Sequence, residues 1–278
     1  MVDDEYRLTN LENDLLTSVL GAEAHLTNPQ AKRHLRQGLY RRLLMMKESR
    51  FQITQTISAT GDSPLDAYTV TGVSIHLNSY YLHARGALDN LAWLLNYEFG
   101  LLADVHEDSP RGRPDLSVFG SRFVRALRVI APPAATVLEN NRTWEQELKA
   151  LRDPIAHRIP LYAVPSIASE AESREILRLH ELADEAFRAG EHHRGIERLS
   201  ESSRIGRFVP AFVESSTSGF RLKSIPAQIA RDLVILSEVS NALLKVVFDG
   251  VQSNNAIRTE GRPRPASSPR RSRRATRG

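Results

Sequence analysis

Arg152 and His157 are the two residues whose types and spacing best suit a reaction. They lie in Leu151-Arg-Asp-Pro-Ile-Ala-His157-Arg-Ile-Pro160-Leu-Tyr162. Asp153 is a good helix N-cap, and Pro154 suits a first helical position. The residue before a proline avoids the helical region. The pattern therefore predicts a short helix opening at Pro154, with Arg152 just ahead of it and His157 one turn in. Arg152, His157 and the free N–H groups of that helix start would then surround one anion. Such a grouping fits cleavage of RNA through attack by its own 2′-hydroxyl. That reaction needs a base near neutral pKa, which histidine provides. It also needs a planar cation for the charge on phosphorus, which arginine provides. It requires no metal. The chain holds no cysteine, no His-Glu-x-x-His and no dense carboxylate cluster at metal-ligand spacing, so neither a metal nor a cofactor is expected. The structural alternative is a capping aspartate beside a satisfied, partly buried histidine.

Two other arginine–histidine pairs have similar spacing, Arg188 to His193 and Arg174 to His180. The first spans Gly190 in a polar stretch. The second falls within one predicted helix, about 120° off a common face. Only Arg152 has a polar neighbour, a predicted helix start and an apolar approach.

The elements that must position Arg152 are mostly helical. Residues 8–26 put Leu8, Leu11, Leu15, Leu16, Val19 and Leu20 near one face, and a second helix runs over about 30–49. The basic residues Lys32, Arg33, Arg36, Arg41 and Arg42 read as its solvated side. Residues 51–57 fit either a strand or the end of that helix. The longest periodic stretch, about 66–99, should be the central helix of a bundle, and Gly86 within it permits close helix approach. Further helices are expected near 119–129, 134–151, 169–189 and 226–250. Residues 160–167 look extended and 190–204 irregular. Phe208–Val213 and Phe220–Leu222 read as a hairpin, with Pro210 marking an edge strand.

On the long helix, Arg85 and Asp89 are four apart and form a surface pair by spacing alone. A sharper reading puts one of them beside Arg152 and His157, contacting RNA or orienting the histidine. Tyr162 either packs or touches a base or phosphate.

The chain of 278 residues carries a net charge of +4. Residues 252–278 hold eight Arg against one Glu, a balance of +7, which leaves 1–251 at −3. The basic pI therefore belongs to the tail and does not predict a nucleic-acid surface on the folded body. Rich in Arg, Ser and Pro, that tail is expected to be disordered. No apolar run of membrane-spanning length occurs. The acidic start, Met-Val-Asp-Asp-Glu, lacks the form of a secretory leader, so a cytoplasmic location is expected.

Arg152-Asp-x-x-x-His157 resembles the signature of the HEPN superfamily: arginine, a polar residue, a short spacer, then histidine. The stretch Tyr80-Tyr-Leu-His-Ala-Arg-Gly-Ala-Leu-Asp-Asn-Leu-Ala-Trp93 also looks like the long helix that precedes that motif. The resemblance covers about 66–162, with 226–250 as a fourth helix. It implies a mainly α helical bundle over 1–251 with a small β-hairpin insertion, followed by the disordered basic tail 252–278. It further implies a metal-independent endoribonuclease of toxin–antitoxin or phage-defence type. The expected partners are RNA, a second copy of the chain in a homodimer, and an antitoxin or regulatory protein. On this reading His157 is general acid or base, Arg152 the phosphate cation and Asp153 an orienting group. Arg158, Tyr162, Arg85 and Asp89 would contact substrate. The alternative is a catalytically inactive HEPN-like module that binds nucleotide, nucleic acid or a protein.

Overall fold

The computed structural model describes residues 2–60, 62–106, 116–157, 159–216 and 219–260, with side chains except at 2–3, 59–60, 156–157, 215–216, 219 and 251–260. The protein is mainly α-helical. Helix α1 (Val2–Ala22) ends in a 3-10 turn, Glu23–His25. Asn28 then caps α2 (Pro29–Arg33), its side chain accepting from Gln30 and Ala31 N–H. The chain continues without a break through a π-helical segment, His34–Tyr40, into α3 (Arg41–Thr60). Residues 51–57 are therefore the last part of a helix. The 3.6-residue spacing of Leu43, Met46 and Ile53, all buried, outweighs their loose alternation.

Helix α4 (Ala67–Phe99) is the axis of the bundle. Asp66 caps it by accepting from Thr69 N–H at 2.9 Å, and Gly100, at φ 63°, closes it in the left-handed conformation. The Thr69 side-chain and backbone hydrogen bonds hold the Asp66 carboxyl below its ordinary pKa. Around α4 lie α3, the π segment, α7 (Arg142–His157) and α10 (Ile225–Glu260). Helix α10 also packs on α1 and on α6 (Pro132–Asn140), which pairs with α5 (Ser121–Ile130). The predicted 134–151 helix is thus two helices, divided at Asn141. One apolar core runs from Leu15 on α1 to Val247 on α10.

Two glycines let the π segment and α3 come close to α4. A Cβ on Gly38 would lie 1.7 Å from Asn90 Oδ1, and one on Gly86 would lie 2.3 Å from the Arg42 guanidinium. Arg42 is therefore laid over α4 beside His83, at 3.4 Å, and is not part of a purely solvated face. Burial, then the Arg42 charge, lowers the His83 pKa.

Among the described residues three strands form one antiparallel sheet in the order β1 (Tyr162–Ala163), β2 (Ala211–Ser216), β3 (Gly219–Ser224). Pro210 had pointed to an edge strand, yet β2 is the central one. Pro210 precedes the strand, so its missing N–H removes no ladder bond, and its carbonyl accepts from Ile225 N–H. Between β1 and β2 the chain makes a helical hairpin, α8 (Glu170–Arg188) and α9 (His192–Ser202). Ser169 and Glu172 form a capping box at the start of α8. Residues 190–204 are thus largely helical. Gly195 supplies the reason, since a Cβ there would meet the Phe187 ring at 2.5 Å. The close fit of α9 on α8 overrides its polar composition. Helix α10 continues to Glu260, so 252–260 follow the helix, and the disorder expected for the tail falls otherwise on 261–278, outside the described residues.

Asp232 on α10 is 3% exposed. Its carboxylate accepts from Tyr81 Oη on α4 (3.0 Å), Trp144 Nε1 on α7 (3.0 Å) and Gln228 Nε2 one turn away (3.0 and 3.1 Å). Burial raises its pKa, and the three donors offset this only in part.

Asp232→Leu should lower stability by about 2–4 kcal/mol, because it strands two buried donors, whereas Asp232→Asn keeps an acceptor for Trp144 and should cost less. A raised folded-state pKa means the favourable contribution is complete below the ordinary carboxylate value and is lost as pH rises through the folded value. Wild type should therefore lose stability relative to Asp232→Asn as pH rises above the ordinary carboxylate range in urea titrations; parallel curves would contradict this. Gly38→Ala should destabilise by about 1–3 kcal/mol. Gly86→Ala should cost less, because the Arg42 tip can swing aside; thermal melts of both variants check the ranking.

Candidate functional site

The Arg152–His157 motif lies inside α7. The helix runs without interruption from Arg142 to His157, with Pro154 in its interior. The sequence had placed a helix start here, and the structure places a helix end. Pro154 lacks the N–H that would bond to the carbonyl of Ala150, so α7 gives up one ladder bond in its last turn. Asp153 is therefore not an N-cap. Its Oδ1 accepts from Arg152 Nη1 at 3.1 Å.

This placement changes the electrostatics. A helix C-terminus carries partial negative charge, which favours a cation such as Arg152 and disfavours a bound phosphate. Positions 152 and 157 are five residues apart on one helix, roughly 140° around its axis and about 7.5 Å along it. One chain does not carry both on one helical face. The same geometry set aside Arg174 and His180, both on α8. The Arg152 side chain is 34% exposed. The His157 side chain and the whole of Arg158 lie outside the described residues.

Arg85 keeps the expected i,i+4 pair with Asp89 and gains two further partners. Its guanidinium, 13% exposed, donates to Glu145 on α7 at 2.8 Å and to Ser117 Oγ at 3.2 Å, while Asp89 lies 3.6 Å away. Glu145 is two turns before Arg152, about 10 Å along α7. Arg85 therefore ties α4 to α7, and Asp89 sits at the exposed side of that pair.

Tyr162 is brought to the surface by α4. Asn78 donates to the Leu161 carbonyl (2.8 Å) and accepts from Leu161 N–H (2.9 Å), and Ser74 Oγ accepts from Ala163 N–H (3.0 Å). These bonds hold β1 on the long helix and leave Tyr162 52% exposed on the outer face of the sheet. Arg85–Glu145 and Asn78–Leu161 run in opposite directions along the two segments, so Arg152 and Tyr162 both lie toward the start of α4. Ile75 and Leu82 on α4, and Ile159 two residues past the last residue of α7, are exposed.

Sequence reading missed Glu145, Asn78 and Ser74. No local pattern marks a polar residue that meets a partner 60 to 89 positions away. Among the described residues no group of three or more His, Asp or Glu is placed to hold a metal ion, and no helix is long and apolar enough to cross a membrane. Comparison with known proteins returns no family model, no curated protein and no solved structure that matches the chain.

Removing the Arg85 guanidinium leaves Glu145 half-buried without its cation. Arg85→Ala should therefore destabilise by about 1–3 kcal/mol, and Asp89→Ala by less than about 0.5 kcal/mol. Equal effects in denaturant titrations would show that the Glu145 contact is not what holds Arg85.

Proposed function

We propose that this chain is a metal-independent endoribonuclease of HEPN type, acting as a homodimer, with a toxin–antitoxin or phage-defence role. The observation that carries the reading is the Arg152-Asp-x-x-x-His157 motif at a helix end in a helical bundle, with a partly exposed Arg152 held by Asp153. In the reaction His157 removes the proton from a ribose 2′-hydroxyl. The 2′-oxygen attacks phosphorus and the bond to the 5′-oxygen breaks. Arg152 balances the charge on the phosphoryl oxygens, and a protonated histidine supplies the proton for the leaving 5′-oxygen. The products are a 2′,3′-cyclic phosphate and a 5′-hydroxyl. Tyr162, half-exposed on β1, would contact a base or phosphate of the RNA.

The dimer is part of the proposal for a geometric reason. With positions 152 and 157 about 140° apart on one helix, a cleft holding both groups is built more simply from Arg152 of one copy and His157 of another. Exposed apolar residues on α4, Ile75 and Leu82, and Ile159 just after α7 would give a second copy a surface to cover. A second reading is an inactive module that binds nucleic acid, nucleotide or a protein; the continuous helix through the motif, whose C-terminal dipole disfavours phosphate there, speaks against catalysis at the motif and, within this reading, for a protein ligand at that end.

The test is cleavage of a mixed RNA pool in EDTA by wild type, Arg152→Ala and His157→Ala, with end-group analysis. Cyclic-phosphate ends are expected from wild type and lost in both variants. Coexpression of the two variants should restore part of the activity if the groups come from different copies. RNA bound by wild type but left intact would favour the binding module, and equal cleavage by all three proteins would place the site elsewhere.

A further inference from the structure

The sheet has two unequal edges. β1 spans two residues, whereas β3, on the other side, spans six. Antiparallel pairing with β2 engages only alternate N–H and C=O groups of β3, so the rest point outward along an edge that no other strand pairs among the described residues. Proteins that expose such an edge either blunt it or use it.

The side chains of β3 alternate by chemistry. Phe220 (81% exposed) and Leu222 (55% exposed) lie on the outer face. Leu222 is in register with Val213 on β2, which is in register with Tyr162 on β1, so apolar side chains cross the whole sheet. Arg221 and Lys223 lie on the other face. There, in the middle strand, Glu214 is in register with Arg221 and takes a 3.1 Å ion pair from Lys223. Two cations on the strand thus face one buried carboxylate, which leaves an excess of positive charge along the edge.

We propose that the β3 edge takes up an extended acidic peptide as a fourth strand. The recognised segment alternates acidic residues, placed against Arg221 and Lys223, with β-branched apolar residues placed against Phe220 and Leu222. Main-chain bonds to the free edge supply affinity, and the alternation supplies specificity. Two other occupants are disfavoured by charge. A second copy pairing β3 with β3 antiparallel, with faces matched, sets Arg221 and Lys223 against themselves or each other. The arginine-rich residues 252–278 of the same chain add further positive charge. A bound strand would continue the apolar row of Leu222, Val213 and Tyr162 across the sheet. The inference stands on the sheet alone and does not depend on the ribonuclease reading.

The experiment uses the full chain and three fluorescein-labelled peptides. The first is Thr-Val-Glu-Val-Glu-Val-Thr. The second has the same composition in blocks, Thr-Val-Val-Val-Glu-Glu-Thr. The third is Thr-Val-Lys-Val-Lys-Val-Thr. Fluorescence anisotropy should show saturable binding of the first, and binding about tenfold weaker for the other two. Arg221→Glu should reverse the order of the first and third peptides, with its melting temperature confirming the fold. Failure of the alternating acidic peptide to bind would overturn the proposal. So would equal binding of the block peptide, which indicates charge adsorption only, or an Arg221→Glu variant with an unchanged order of preference. In either case Arg221 and Lys223 would serve only to keep the edge from self-association.

Discussion

Three helices that are distant in sequence meet at the carboxylate of Asp232. Tyr81 comes from α4, Trp144 from α7 and Gln228 from α10 itself, and each offers a hydrogen-bond donor to the same group. A buried carboxylate with no ion-pair partner is costly unless its oxygens are filled. Here three neutral donors fill them, while burial still pushes its pKa upward. The arrangement fixes the rotation of α7 about its axis, because the indole of Trp144 must face inward. Once that rotation is set, Glu145 turns toward Arg85, and Arg152, two turns on, lies along the same line.

The long helix carries a second set of constraints. Ser74, Asn78 and Arg85 lie along its side toward α7 and β1, and all three bind the segment from Glu145 to Ala163. The motif helix and the strand after it are therefore held to α4 by polar contacts at both ends, with Leu148 and Leu151 buried between. On the opposite side, Gly38 and Gly86 let the π segment and α3 approach closely. A π-helical turn often accompanies a functional site, but here its clearest work is to align Gly38 with Asn90.

Within the sheet, a two-residue strand and a hairpin of two six-residue strands bracket the α8–α9 insertion. The buried residues of that insertion, Leu179, Ala183 and Ala186, pack within the helical hairpin and do not join the main core. The sheet is its foot. Its outer face keeps Tyr162, Leu222 and Phe220 exposed, and its inner face closes on Phe212 and Ala163.

The sequence by itself determined the helical class, the long central helix, the extended segment after Pro160, the hairpin and the final helix. Each follows from local periodicity, caps and turn residues, which act over a few positions. It also marked the residues of the motif. What it misjudged was their setting. Asp153 and Pro154 have strong local preferences for a helix start, but the burial of Trp144, Leu148 and Leu151 carries one helix past them, since packing of an apolar stripe outweighs a capping preference. In the same way Gly195 and Phe187 drew a polar stretch into α9. The partners of Asp232, Arg85, Asn78 and Ser74 were decided only by the tertiary structure, because a hydrogen bond between residues 60 or more positions apart leaves no trace in local spacing.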